Sequence, residues 1–405
     1  MSAITLRAAF GLIVGLAGSL AVLSPVPART ALAESRGPVT LNWPAAHAAL
    51  AEWAGPATSN DGAHRASPSE WWRISGHLHT PEGRRFAFAA TFFRFAIAGK
   101  TDVKASRRAR EQSAWRTGNE FYPATFALVD EGKRRYFSAT KVERGAFGFG
   151  SAAANSLDVA TGQWTLRAEP AIRHAELASP ETTFDLHVAN GEFALDLRQT
   201  AVKPRVAFGH AGVIRSGSCT RCVEHAFAYT RLRARGELRL GGQRFRLEGR
   251  SWLDHEYGTH ELAPGDVGWD RFAIQLDDGR DVLVRVVRRA DGTPSPATSG
   301  ELVARDGTLT NLGARDVGVT PVAHTIWRSP ASGARYPVLW EITVPKARLD
   351  LAVVPPFSAQ EIVSQQGGPA YYEGSIDVER APPPGGDTGT GFAELTGYRR
   401  PLHGL

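Results

Sequence analysis

Several features common in other protein classes are scarce in this sequence. Beyond the N-terminal residues there is no long apolar run, so we expect the mature chain to be soluble. The formal net charge of +6 is a weak surplus for 405 residues, and we expect no nucleic-acid partner. No Gly-x-Ser-x-Gly motif occurs, so the nucleophile elbow of serine hydrolases is absent. Apolar residues rarely recur at 3.6-residue spacing, which argues against a mainly helical fold.

The first 33 residues have the features of an export signal. Arg7 supplies a positive charge, residues 8–23 are apolar and uncharged, and Ala31-Leu32-Ala33 is a small-x-small cleavage site. We therefore predict a signal peptide at 1–33 and an exported protein, periplasmic or secreted. An uncleaved N-terminal membrane anchor is the alternative.

Two further segments carry local signals. Residues 34–69 form a lead-in to the first domain, where Pro44 before an alanine-rich stretch predicts a short helix. Basic residues cluster at 100–110 and could make a peripheral contact with an anionic membrane surface. A solvated surface segment is the alternative for this cluster.

Alternating apolar residues around turn dipeptides predict antiparallel strands. In the clearest hairpin, alternating stretches at 184–188 and 193–197 flank Asn190-Gly191. The same pattern recurs around Gly241-Gly242, Asp278-Gly279 and Asp306-Gly307. Hairpins at this density predict an all-β chain built from antiparallel sandwiches or barrels.

The chain also repeats weakly, which predicts two β domains. Strands that begin at Trp72 and Trp269 are each followed by a Gly-Arg turn and a returning apolar strand. We therefore place one domain at 70–258 and the other at 259–405. Their junction falls beside Asp254, and domain junctions are preferred places for ligand pockets.

One stretch, Gly249 to Gly258, concentrates the candidate chemistry. Alternate side chains of a strand point to opposite faces, which would place Trp252, Asp254 and Glu256 on one face and Leu253, His255 and Tyr257 on the other. A carboxyl beside a large aromatic keeps its proton more readily than a solvated one, so Asp254 is a candidate general acid. The alternative is structural, with these acids paired to arginines such as Arg231 or Arg271.

The 2 cysteines lie close together at Cys219 and Cys222. In an exported protein we expect them to form a local disulfide. A zinc site is the alternative, because His225 follows Cys222 by three residues and His255 could join it.

Five stretches in this order resemble a known family: Glu70–Gly76, Ser251–Glu256, Gly268–Phe272, Tyr371–Gly374 and Glu394–Tyr398. They are similar to the AttH-like family of lipocalin-fold proteins, which includes the carotenoid 1,2-hydratases. The resemblance covers residues 70–398. It implies two tandem lipocalin-like antiparallel β-barrel domains packed together, an apolar cavity near their junction, an isoprenoid or lipid ligand, and no cofactor or metal.

The resemblance also implies a chemistry. In the family's hydratases an acid protonates a carbon–carbon double bond, aromatic faces stabilise the carbocation, and a held water attacks it. By motif position, catalytic roles are implied for Asp254, His225 and Trp252. Ligand contacts are implied for Phe227, Tyr229, His255, Glu256 and Tyr257.

Two functions stay open for a monomeric chain of this kind. The first is a hydratase or hydrolase, which requires Asp254 beside His225 and open to an apolar cavity. The second is a non-catalytic carrier of an apolar ligand, in which an arginine holds Asp254 away from any cavity. In both cases we expect Trp71, Trp72 and Trp269 in the core, because large aromatics dominate core burial.

Overall fold

The computed structural model describes residues 61–96, 120–169, 182–215, 223–259, 262–364, 370–380 and 388–402. The predicted signal peptide, the helix after Pro44, the basic cluster at 100–110 and the pair Cys219 and Cys222 lie outside these residues. Most of the described chain is β-strand, with short 3₁₀ helices at Ala146–Gly148 and Pro345–Ala347. Within it, no helix has both the length and the apolar character needed to cross a membrane.

The first sheet holds 13 strands from the described residues. They are β1 (Ser69–His79), β2 (Arg85–Ala96), β3 (Glu120–Asp130), β4 (Arg135–Arg144), β5 (Gly150–Ala152), β6 (Asp158–Thr161), β7 (Trp164–Ala168), β8 (Thr183–Ala189), β9 (Phe193–Ala201), β10 (Val206–Ala207), β11 (Val213–Arg215), β12 (Val223–Leu240) and β13 (Gln243–Gly258).

The second sheet holds 10 strands from the described residues, and a separate two-stranded ribbon accompanies it. The sheet contains β14 (Asp266–Leu276), β15 (Asp281–Arg289), β16 (Ser299–Val303), β17 (Leu309–Gly313), β18 (Gly318–Pro321), β21 (Trp340–Val344), β22 (Leu349–Val354), β23 (Glu361–Val363), β24 (Ala370–Arg380) and β25 (Gly389–Leu395). The ribbon pairs β19 (Ile326–Arg328) with β20 (Arg335–Pro337).

Both sheets share one strand order around their first strand. In the first sheet β1 lies between β2 and β13, and in the second β14 lies between β15 and β25. All of these pairings are antiparallel. The first sheet curls into a nearly closed barrel and the second into a half-barrel, which confirms the predicted all-β fold class.

The four predicted hairpins all form. They are β8–β9, β12–β13, β14–β15 and β16–β17. In the first, the Asn190 side-chain Oδ1 accepts hydrogen bonds from the backbone N–H groups of Glu192 (2.8 Å) and Phe193 (2.9 Å). In the second, Gly241 and Gly242 have φ of 57° and 80°, a left-handed conformation that two-residue hairpin turns require.

Each sheet encloses its own apolar core. The first core is rich in aromatic side chains, among them Trp72, Phe88, Phe126 and Trp164. The second contains Phe272, Tyr336, Trp340 and Tyr372. Residues at alternate positions of the same strands therefore remain to form the contact between the sheets.

The sheets pack through their outer faces, in a contact that we call the seam. At one end, Trp252 of the first sheet packs with Ala273 and Leu283 of the second. At the other, Phe392 of β25 packs against small residues of β2 and β3, including Ala87, Ala89 and Ala127. Between these apolar ends, charged side chains from both sheets meet.

Phe392 should be a strong determinant of stability, because it is 1% exposed and its contacts join the two sheets. We predict that Phe392→Ala lowers the free energy of unfolding by about 3 to 5 kcal/mol. Phe149→Ala is the control; Phe149 is 59% exposed, and its removal should change stability by less than about 0.5 kcal/mol. Urea unfolding measures both, and a loss below about 1 kcal/mol for Phe392→Ala would contradict this account of the seam.

Candidate functional site

Strand β13 presents two different chemistries on its two faces. Trp252 packs with residues of the second sheet, whereas Leu253 lies in the core of the first. The predicted alternation is therefore present, with Trp252, Asp254 and Glu256 facing the seam. His255 and Tyr257 face the interior of the first sheet.

Asp254 is held from three sides. Its Oδ2 accepts a short hydrogen bond from Arg271 Nη2 and lies 3.8 Å from Arg73 Nη1. Its Oδ1 accepts a hydrogen bond from Trp252 Nε1 at 2.6 Å. The carboxylate is 1% exposed, and Arg271 belongs to the second sheet, so Asp254 joins the sheets across the seam.

A cavity opens in the seam next to this pair. Its volume is about 130 Å³, and the cavity is partly open to solvent. Its walls are largely aromatic and aliphatic, with Trp71, Phe93, Phe95, Leu262, Trp269 and Tyr371. Its floor is charged, with Arg73, Arg271, Arg285, Glu224, Glu256 and Glu394. Asp254 is not among the lining residues, although both arginines beside it are.

Glu256 is the buried acid of the β13 seam face that reaches this cavity. Arg285 Nη1 donates to Glu224 Oε2 at 2.8 Å but lies 3.8 Å from Glu256 Oε2, beyond hydrogen-bonding distance. Burial raises the pKa of Glu256 to about 7, against the opposing attraction of Arg285 and Arg271. Near neutral pH this carboxyl can therefore hold or release a proton.

Two other buried acids of the seam, Glu373 and Glu301, also have raised pKa values. Burial raises the pKa of Glu373 to about 7, although its Oε1 accepts a hydrogen bond of 2.5 Å from Arg73 Nη2. Burial likewise raises the pKa of Glu301 to about 7. Neither residue lines the cavity.

A second polar cluster lies inside the first sheet and centres on Glu70. Glu70 Oε1 is 2.9 Å from His64 Nδ1 and 2.8 Å from His255 Nε2, and its Oε2 accepts a hydrogen bond from Arg94 Nε at 3.0 Å. Burial opposes ionisation of Glu70, but the hydrogen bonds from His255 and His64 hold its pKa well below the ordinary value. Burial lowers the pKa of His255, which keeps the ring neutral.

His64, Glu70 and His255 could hold a metal ion, since their ligand atoms lie within 4.8 Å of one another. Glu70 Oε1 already interacts with both rings, however, so a metal ion would have to displace the ring N–H protons. Arg94 also neutralises the carboxylate. The Glu70 carboxylate is therefore fully engaged without a metal ion, although His255 Nδ1 has no hydrogen-bond partner among the described residues.

The other predicted site residues lie in the interior of the first sheet. His225 stacks on Tyr257 with ring centroids 4.6 Å apart. The Arg205 guanidinium lies over Phe227 at 3.9 Å. Tyr229 Oη donates to Asp61 Oδ2 at 2.9 Å.

The structure thus divides the predicted residues into two groups. Asp254, Trp252 and Glu256 face the seam, whereas His225, Phe227, Tyr229, His255 and Tyr257 face the interior. Because the wall of β13 separates Asp254 from His225, the geometry that the catalytic hypothesis required for this pair does not form. Asp254 is instead paired with Arg271, the arrangement that the structural alternative required, while Arg231 pairs with Asp281.

The expectation that Trp71, Trp72 and Trp269 all lie in the core was wrong for two of them. Trp72 is in the first core, but Trp71 and Trp269 line the cavity. Trp71 and Trp72 are neighbours in strand β1, and successive side chains of a strand point to opposite faces. Trp72 points into the core, so Trp71 points to the cavity.

Several cavity residues were missed from the sequence. Arg73, Arg285 and Glu394 are charged residues in the middle of otherwise apolar strands. Long charged side chains are rarely buried unless they are paired. A search for such interruptions at the positions that alternate with core residues could have found them.

Two curled antiparallel sheets of the same strand order, with a cavity at their junction, define a tandem lipocalin-like protein. The sequence model of the AttH-like family matches residues 54–398, and the chain belongs to this family. The resemblance noted from the motifs is therefore confirmed. No protein with a curated description matched the sequence.

Two solved structures are similar to this chain. An AttH protein from Nitrosomonas europaea is 25% identical, with a TM-score of 0.70 over 84% of this chain and 97% of that one. Kievitone hydratase from Nectria haematococca is 14% identical, with a TM-score of 0.59 over 84% of this chain and 93% of that one. At this lower identity the second likeness shows the fold alone.

The raised pKa of Glu256 should make stability depend on pH. The folded protein holds this proton up to about pH 7, whereas an ordinary glutamate releases it near 4.5. The contribution of Glu256 to stability is therefore fully present below pH 4.5 and is lost as the pH rises through 7.

As the pH rises from about 5 to about 8, wild type loses this contribution and Glu256→Gln does not. We predict that the free energy of unfolding of Glu256→Gln rises relative to that of wild type by about 2 to 3 kcal/mol over this range. Urea unfolding of both proteins at several pH values measures this difference. Glu248→Gln, at an exposed position of the same strand, should show no such trend. A difference that stays constant with pH would contradict the shifted pKa.

Proposed function

We propose that the chain binds an apolar isoprenoid or lipid in the seam cavity and adds water to one of its double bonds, with Glu256 as the proton donor. The observation that carries this proposal is a buried carboxyl with a pKa of about 7 in the floor of a cavity with aromatic walls. The activity in the name of kievitone hydratase, whose fold is similar, agrees with it.

Glu256 takes the role that the motif position suggested for Asp254. Asp254 is bound by Arg271 and Trp252 and does not reach the cavity, so its oxygens are not available to a ligand there. Glu256 lies two residues further along the same face and lines the cavity. It is also the weaker partner of Arg285, which leaves its carboxyl oxygens less engaged.

The proposed reaction balances without a cofactor. The Glu256 carboxyl O–H gives its proton to one alkene carbon, the π electrons form the new C–H bond, and the other carbon becomes a cation. The faces of Trp71, Trp269 and Tyr371 stabilise this cation. A water oxygen then forms the C–O bond, and one of its protons returns to the Glu256 carboxylate.

We predict that wild-type protein, incubated in H₂¹⁸O with a lipid extract of its native host, yields an alcohol that carries the heavy oxygen. Glu256→Gln cannot donate the proton and should lower the rate at least about 100-fold. Mass spectrometry of the extracted lipids measures the incorporation.

Glu301→Gln is the matched control, because Glu301 is a buried seam acid of similar pKa that does not line the cavity. This variant should retain activity within a few-fold of wild type. Equal activity of wild type and Glu256→Gln would contradict the assigned donor.

A non-catalytic carrier is the second candidate function. The observation that favours it is the engagement of Asp254 by Arg271, which gives that acid a purely structural explanation. In this case the protein purified from its host carries a lipid, and wild type and Glu256→Gln carry the same unmodified molecule.

We further propose that the chain is exported, on the basis of the N-terminal features at Arg7 and Ala31-Leu32-Ala33. Expression of the full chain in a Gram-negative host, followed by fractionation and N-terminal mass analysis, should give a periplasmic protein that begins at Glu34. Full-length protein in the membrane fraction would favour the anchor instead, and protein in the cytoplasm would contradict export.

A further inference from the structure

Two arginines in the cavity floor have N–H groups that the described part of the chain does not satisfy. Arg271 Nη1 has no hydrogen-bond partner there, although Arg271 Nη2 donates to Asp254. Arg73 Nε also has none, since its nearest acid, Glu394 Oε2, is 3.6 Å away. Arg271 and Arg73 are only 5% and 2% exposed, and both line the cavity.

A buried donor without an acceptor is costly, and the cost disappears when a ligand supplies the acceptor. The two guanidinium groups come from facing strands, β14 and β1, and converge on the same oxygen, Asp254 Oδ2. Their unsatisfied N–H groups therefore belong to one region of the floor. An oxygen atom of a ligand bound there could accept from one or both.

The charge around this region restricts what that oxygen can be. Three arginines of the floor, Arg73, Arg271 and Arg285, interact with six acids in the described part of the seam: Glu224, Asp254, Glu256, Glu301, Glu373 and Glu394. Burial raises the pKa of Glu256, Glu301 and Glu373 to about 7, so below that pH these three are largely protonated, and Glu224, Asp254 and Glu394 remain opposite the three arginines. An anionic ligand would add a negative charge that no further arginine compensates, which is unfavourable in a poorly solvated site. A neutral acceptor satisfies the donors without that repulsion.

We infer that the ligand of the seam cavity is an apolar molecule that ends in a neutral oxygen, a carbonyl or a hydroxyl, which accepts hydrogen bonds from Arg271 Nη1 and Arg73 Nε. The inference rests on the proposed function, because it concerns the same cavity. This assignment favours isoprenoids and lipids that carry a carbonyl or hydroxyl group over hydrocarbons and over free carboxylic acids. The same contact would place the oxygenated end of the molecule at the charged floor and its apolar chain along the aromatic walls.

The test compares four ligands that share one C15 isoprenoid skeleton: farnesal, farnesol, farnesene and farnesoate. Trp71 and Trp269 line the cavity, so quenching of tryptophan fluorescence reports binding. We expect farnesal and farnesol to bind at least about tenfold more tightly than farnesene and farnesoate, the gain typical of a hydrogen bond to a charged donor.

A matched pair of variants tests the donor. Arg271→Lys keeps a cation beside Asp254 but lacks the guanidinium fork, and it should reduce the preference for farnesal over farnesene to about threefold or less. Arg288→Lys is the control, because Arg288 pairs with Asp270 in the same sheet and does not line the cavity. This variant should keep the wild-type preference.

The ligand series on wild-type protein does not depend on how the variants fold. Equal binding of the four ligands, or tightest binding of farnesoate, would overturn the inference. Ala263→Trp, which fills the cavity, separates the two proposals. If the four ligands bind equally well and Ala263→Trp abolishes this binding, the cavity is still the binding site and only the neutral-oxygen assignment is rejected. No binding, or binding that Ala263→Trp does not weaken, would reject both.

Discussion

The buried arginine–carboxylate pairs across the seam are the constraint on which the site depends. Arg271 with Asp254 and Arg73 with Glu373 each join a residue of one sheet to a residue of the other. Removing a charge from water is expensive, and the loss of one partner leaves the other buried without compensation. The relative position of the two sheets is therefore tied to the completeness of these pairs, and so is the shape of the cavity between them.

This constraint also explains why Asp254 and Glu256, two acids on the same strand, differ in how closely they are paired with arginine. Asp254 has the direct contacts of Arg271 and Trp252, whereas Glu256, on the same face of β13, has an arginine only at 3.8 Å. Arg73, Arg271 and Arg285 interact with six acids around the cavity, so some of these acids remain incompletely paired. An acid in that position is costly to ionise, and it is the kind of group that proton transfer requires.

Much of the fold could be predicted from the sequence, because its signals are local. The Asn190-Gly191 and Gly241-Gly242 turns, with alternating apolar residues beside them, determine hairpins whose partners are near in the chain. The alternation along β13 likewise placed Asp254 and Glu256 on one face.

The site could be predicted only in part, because its partners are distant. Arg73 meets Glu373 across 300 positions, and nothing local in either strand indicates the other. Asp254 and Glu256 lie on one face of β13. Which of them reaches the cavity depends on how closely the second sheet packs against each position. Alternation along β1 places Trp71 and Trp72 on opposite faces, but the sequence could not show that the face of Trp71 meets a cavity.

The shared strand order has a consequence for the sequence of events during synthesis. The first strand of each sheet pairs with the last. β1 therefore cannot complete its pairing until β13 has been synthesised, and β14 cannot do so until β25 has been synthesised. Contacts between distant segments form slowly, because a long loop must close before they contribute. Glu394 and Thr396 line the cavity. Synthesis must therefore reach Thr396 before the cavity can form, and until then the nascent chain exposes charges whose partners have not been made.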